Sequence, residues 1–126
     1  MDDRKRHKAG MKVRREVLGD AHVDRAKAKE SAFSAPFQDF ITRCVWGEIW
    51  TRPGLPRKTR SLITIGMMVA LNRADELRLH LRAAANSGVT RKEIQEVLLH
   101  AAVYCGVPAA NSAFYIAEEV FAETGK

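Results

Sequence analysis

The chain has 126 residues, 46% of them apolar, with only eight Gly and four Pro, which is enough to bury a real core and too apolar for a disordered tail. No apolar run approaches the ~18 uncharged residues of a membrane span, and residues 1–8 lack the apolar stretch that follows the basic end of a secretory signal, so a cytoplasmic protein is expected. Cys44 and Cys105 form no CxxC, which removes the usual signatures of structural zinc, iron–sulfur and dithiol redox chemistry.

The net charge of +6 is unevenly placed. Residues 1–15 hold seven Lys/Arg against Asp2 and Asp3, while the remainder is nearly balanced. Residues 1–10 therefore read as a basic N-terminal arm on a helical domain spanning 11–126. A nucleic-acid binder carries its basic face on the folded body, and this chain does not, so no nucleic-acid partner is expected.

After the arm every segment reads as helix, and no stretch alternates with period two between turn residues. A first helix covers Met11 to Leu18 and stops at Gly19-Asp20. Residues 21–30 form a loop or a poorly anchored helical piece. A second helix starts near Ser34, an N-cap candidate, with Pro36 in its first turn. Its apolar positions Phe37, Phe40, Ile41, Cys44, Val45 and Ile49 keep the spacing that buries one face, and Arg52-Pro53-Gly54 ends it.

A third helix follows Pro56 and runs to about Leu71. It is apolar on every side from Leu62 to Leu71, the mark of a central helix or a subunit interface, and Gly66 would allow another helix close. Asp75 is the cap candidate of a fourth helix carrying Leu77, His80, Leu81, Ala84 and Ala85, closed by Gly88 in the left-handed region. Thr90-Arg91-Lys92-Glu93 spells a capping box that opens a fifth helix with Ile94, Val97, Leu98, Ala101, Ala102 and Cys105 inside. Gly106-Val107-Pro108 breaks it, and a sixth runs from Ala109 to Glu123. The expectation is an all-α bundle of about six helices with short connections. So apolar a third helix in a small chain also predicts a homo-oligomer.

Of the four histidines, His7 falls in the arm and His22 in the doubtful linker. Glu76 and His80 are four apart and share a helix face, with Arg73 one turn earlier. A carboxylate that orients an imidazole and raises its proton affinity makes a proton-transfer unit. The plain alternative is a surface ion pair. Against it, His80 lies among Leu77, Leu81 and Ala84, on the side that faces a core. His100 and Tyr104 form a second four-apart pair, more often a satisfied core or interface contact. Glu48 lies between Trp46 and Trp50 near a helix end. Arg57, Lys58 and Arg60 gather where the third helix begins, opposing its macrodipole, so an anion held by at least one of them is favoured over a solvated basic turn. No phosphate loop, HExxH or nucleophile elbow occurs, and no metal ligand set is expected.

Taken in order, Arg15-Glu16-Val17-Leu18-Gly19-Asp20-Ala21-His22-Val23, Phe40 to Trp50, Arg52-Pro53-Gly54-Leu55, Lys58-Thr59-Arg60-Ser61-Leu62, Glu76-Leu77-Arg78-Leu79-His80, Asn86 to Thr90 and Leu99 to Ala110 resemble the γ-carboxymuconolactone decarboxylase family, within the alkyl hydroperoxidase D-like all-helical fold. The peroxidatic branch of that fold carries CxxC ahead of a histidine. Aligned on His80, its cysteine positions fall on Arg73 and Glu76, so the dithiol is absent and peroxidase activity is not expected. The resemblance implies conversion of 4-carboxymuconolactone to 3-oxoadipate enol-lactone and CO2 in protocatechuate breakdown by the β-ketoadipate pathway, without a cofactor, in a homo-oligomer, a hexamer. It implies His80 as proton donor with Glu76 orienting it, and Arg60, helped by Lys58 or Arg73, holding the substrate. Glu48, Trp50, His100 and His22 are further pocket candidates, with a neighbouring subunit as one source. The competing readings are a related enzyme acting on another acid or lactone, and a non-enzymatic helical binding module.

Overall fold

The computed structural model describes residues 2–123. Among them are seven α-helices, a π-helix and a 3-10 turn, with no strand. The chain divides into two compact units, residues 1–56 and 57–126.

The first unit opens with α1 (Asp3–Leu18). The expected arm is thus helical, and the helix begins eight residues before Met11. Asp2 explains the early start, since its carboxylate accepts from the Lys5 backbone N–H at 2.9 Å as an N-cap. Gly19 (φ 92°) turns the chain into α2 (Asp20–Lys29), which resolves the loop-or-helix alternative for residues 21–30 in favour of helix. The next element starts as α3 (Ala35–Phe40) with Ser34 at its N-cap position but making no side-chain cap bond. It then widens into a π-helix, Ile41–Ile49.

That widening corrects the expected burial. The face of Phe37, Phe40, Val45 and Ile49 is exposed, and the buried side is Thr42, Trp46 and Gly47, followed by Trp50. From Ile41 on, with each backbone bond spanning five residues instead of four, the face that recurs is no longer the one a 3.6-residue period selects; Phe37 and Phe40 precede it in α3, which buries none of its residues. This side packs on Val13 and Val17 of α1. Two glycines allow it: a Cβ on Gly10 would collide with the Thr42 carbonyl oxygen, and one on Gly47 with the Arg6 carbonyl oxygen.

The second unit contains α4 (Arg57–Ala70), α5 (Ala74–Ala83) leading into the 3-10 turn Ala84–Ser87, α6 (Arg91–Tyr104) and α7 (Val107–Glu123). Its core joins Ile65 and Val69 of α4, Leu77 and Leu81 of α5, Ile94 and Leu98 of α6, and Ala113, Ala117 and Val120 of α7. Gly88 (φ 80°) closes the 3-10 turn as expected, and the Thr90–Glu93 capping box is complete. α4 buries only Ser61, Ile65 and Val69, leaving Ile63 and Met67 exposed. Gly66 is not needed for a close approach, because an added Cβ would meet Val97 at an ordinary 3.7 Å. Cys105, expected inside, is exposed at the end of α6. Among the described residues no helix is long and apolar enough to cross a membrane.

Candidate functional site

In the second unit α5 carries Glu76 and His80 one turn apart. The amphipathic pattern aims Leu77 and Leu81 into the core, where they are almost fully buried, and this leaves His80 half-buried at the core's edge and Glu76 in water. Arg73 is not a turn of the same helix: it is the N-cap residue, outside helical geometry (φ −101°, ψ 81°), and it takes the cap place expected of Asp75. Its exposed side chain borders a small cavity of ≈ 180 Å³ shared with Asn72, Ala109 and Ser112.

Lys58 and Arg60 lie in the first turn of α4. The Lys58 ammonium binds Glu93 Oε2 at 2.7 Å, so the charge expected to hold a substrate is engaged by the capping box of α6. Lys58 first, and then the Thr90 backbone N–H, hold the Glu93 carboxyl below its ordinary value. Arg60 is half-buried.

His100 and Tyr104 stack on α6 with ring centroids 4.9 Å apart. Both are exposed and line an open groove of ≈ 750 Å³ with Ile63, Gly66, Met67 and Val97. They are therefore neither core contacts nor neighbours of His80 along that groove.

The remaining candidates belong to the first unit. Glu48 is exposed and accepts from Arg6 Nε at 3.2 Å. Trp50 is buried against Trp46, with ring centroids 5.0 Å apart, which makes it a core residue of that unit. His22, on α2, is half-buried. Burial first, then the positive charges of Arg14 and Arg25, push its pKa below the ordinary imidazole value.

Sequence reasoning missed Arg14, which is only 6% exposed. It donates from Nη2 to Gln38 Oε1 at 3.0 Å and from Nη1 to Thr42 Oγ1 at 3.3 Å. The signal was present, since Gly10, Val13, Arg14 and Val17 share one helical face, but it was hidden within a run of basic residues. Among the described residues no group of three or more His, Cys, Asp or Glu could hold a metal ion.

The model of the carboxymuconolactone decarboxylase family matches residues 35–119, a span that includes every candidate above except Arg14 and His22. The chain is 54% identical to a 4-carboxymuconolactone decarboxylase of Acinetobacter baylyi over 99% of its own length and 93% of that protein's. It is 46% identical to a nitrosuccinic acid decarboxylase of Metarhizium robertsii, covering 87% of this chain and 77% of the relative. A 4-carboxymuconolactone decarboxylase sequence from Pseudomonas putida is 54% identical over 48 residues, all of that sequence and 38% of this chain. The chain belongs to the carboxymuconolactone decarboxylase family.

Proposed function

We propose that this protein is a carboxy-lyase that converts 4-carboxymuconolactone to 3-oxoadipate enol-lactone and CO2. The observation that carries the reading is the 54% identity to a 4-carboxymuconolactone decarboxylase along almost the full length of both chains.

The chemistry suits a site built from ordinary side chains. The departing carboxylate sits on a ring carbon next to a double bond conjugated with the lactone carbonyl. When the carbon–carboxylate bond breaks, its electron pair moves through that double bond onto the carbonyl oxygen, and a proton then adds to the ring carbon beside the carbonyl. The substrate accepts its own electrons, so the protein must hold an anion, stabilise a developing oxyanion and deliver one proton. His80 is the proton donor, held at the edge of the core by Leu77 and Leu81, with Glu76 one turn earlier to raise its proton affinity. Arg60 holds a carboxylate or polarises the lactone by its guanidinium fork, and Arg73 is the second candidate cation. Lys58 contributes only if substrate displaces Glu93. His100, in the same unit, is a further pocket candidate.

The reading extends to a cytoplasmic homo-oligomer, a hexamer. The apolar side chains that α4 and α6 leave exposed, Val103 at 75% and Tyr104 at 78% among them, support association with other copies. Light scattering at several protein concentrations gives the subunit count, and a monomer throughout refutes this part.

A second substrate class is favoured by the relationship to a nitrosuccinic acid decarboxylase. Nitrosuccinic acid is likewise a dicarboxylate, in which one carboxylate adjoins a group able to accept the electron pair.

The test is turnover of freshly prepared 4-carboxymuconolactone in deuterated water, with a chelator present and nitrosuccinate in parallel. The expected result is CO2 and enol-lactone carrying one deuterium beside the carbonyl. His80→Ala should lower kcat by about 10²–10⁴. Full turnover by a folded His80→Ala protein refutes His80 as the donor, and no reaction of the wild-type protein with either acid refutes the lyase reading.

A further inference from the structure

The second unit leaves an apolar face uncovered. Ile63 and Met67 of α4 and Leu71 just beyond it recur at every fourth residue and so form one stripe. On α6, Leu99, Val103 and Tyr104 are equally bare, and the six side chains are 41% to 78% exposed. Between the two helices runs the open groove of ≈ 750 Å³, in which Gly66 has no side chain and Val97 and Ala101 form apolar walls. At roughly 150–250 Å² for a large side chain, six exposed to this degree amount to on the order of 600 Å². A monomer rarely leaves a contiguous apolar patch beyond about 300–600 Å², and one side of a stable interface covers about 800 Å². With the groove walls added, this face has the area of one half of a dimer contact.

Its charge suits the same use. No residue from Leu62 to Leu71 is ionisable. Among the described residues that line the groove there is no Lys or Arg, and its one carboxylate, Glu96, is exposed. An unpaired buried charge is costly, and covering this face would bury almost none. The face also carries both halves of a contact, a groove and protruding side chains of the size that fill one. A twofold axis requires that combination, because it sets one patch against the same patch of the other copy.

We propose that the α4–α6 face of the second unit is a twofold interface between two copies of this chain, with Met67 and Val103 of each copy pressed against the other. The assignment rests on the homo-oligomer reading and adds to it the surface and the symmetry. In a hexamer of two stacked trimers such a face joins the trimers, and in a dimer it is the whole contact. Association covers Cys105, which lines the groove and is exposed in the single chain, so the reactivity of its thiol reports on this face.

Met67→Glu and Val103→Glu each place a carboxylate on the face, and the twofold doubles it. Both positions are exposed in the single chain, so helical circular dichroism should be kept. Light scattering should show the assembled mass falling to half or less in each variant, with association weakened at least about a hundredfold. The second readout is alkylation of Cys105 by iodoacetamide in Cys44→Ala protein, where it is the one remaining thiol. Cys105 should react at least about tenfold slower there than in the same protein carrying Met67→Glu or Val103→Glu. If a variant fails to fold, dilution of the Cys44→Ala protein takes its place, and the protection should fade as the copies separate. Variants that keep the wild-type mass, or equal reactivity of Cys105 throughout, overturn this face while the homo-oligomer reading stands. A wild-type monomer at every concentration overturns both, and protection of Cys105 in such a monomer would assign the groove to a small apolar ligand.

Discussion

Gly47→Ala tests the packing that defines the first unit. In an open helix this change would stabilise, because Ala gains about 0.5–1 kcal/mol over Gly. Here the added methyl would overlap the Arg6 carbonyl oxygen of α1, a backbone atom that cannot rotate away. Restoring ordinary contact requires α1 to retreat by roughly 1 Å, and a gap of that size forfeits a quarter to a half of each van der Waals contact it opens. The contacts at risk are those of Trp46 and Trp50 with Val13 and Val17. Overpacking of this kind costs about 3 kcal/mol, the upper end of the usual range, since the obstruction is main chain. The net expectation is a loss of about 2 kcal/mol. Trp46 and Trp50 are the chain's two tryptophans, so urea unfolding followed by tryptophan fluorescence reports on this unit. Gly66→Ala, in the second unit and therefore followed by far-ultraviolet circular dichroism, is the matched control, with its nearest contact at 3.7 Å, and should leave stability equal or raise it by about 0.5–1 kcal/mol. A Gly47→Ala midpoint at or above wild type would refute the close approach of α1 to the π-helix.

Three further outcomes follow from polar contacts. Thr90→Ala removes the hydroxyl that accepts from the Glu93 backbone N–H at 3.1 Å and should cost about 1 kcal/mol in chemical denaturation; no change would mean that the box is not formed in solution. The Glu93 carboxyl is held below its ordinary value, so its contribution is complete above the unfolded carboxylate pKa and fades as pH falls through the folded one. Lys58→Met should therefore flatten the acid limb of the stability–pH curve, and an unaltered limb would count against the ion pair. His22 also has a lowered pKa, so its neutral form favours the fold: that stability is full above about pH 6.5 and declines as pH drops through the folded value. His22→Gln should remove this decline, and an unchanged slope would place the imidazole in water.

What the sequence made legible was local. Gly88, the Thr90–Glu93 box and the break at Arg52-Pro53-Gly54 act within one turn of the chain, and all three stand where residue chemistry puts them. His80's position at the edge of the core follows from Leu77 and Leu81 on the same helix. The rest depended on contacts between distant residues. The π-helix owes its buried face to α1, and nothing within residues 41–49 announces that Gly47 must meet Arg6. Lys58 looked available because Glu93 is far along the chain. Arg14 was overlooked because its neighbours Lys12 and Arg15 made the whole stretch look like a solvated run, although only one face of α1 is buried.

The setting of His80 rests on apolar packing more than on charge. α5 is tied to α7 by two ion pairs, Arg78 to Glu119 at 3.1 Å and Arg82 to Glu123 at 2.9 Å. All four side chains keep substantial contact with water, and such exposed pairs contribute little and weaken with salt. Leu77 and Leu81, buried to within a few per cent, gain about 1.5–3 kcal/mol each from burial, so they set the rotation of α5 and with it the direction of the imidazole, three residues after Leu77 and one before Leu81. The ion pairs trim this arrangement rather than create it. For the proposed chemistry the consequence is direct: the helix that carries the ring is held mainly by apolar burial, which salt does not screen, while the influence of Glu76, exposed one turn earlier, is open to screening.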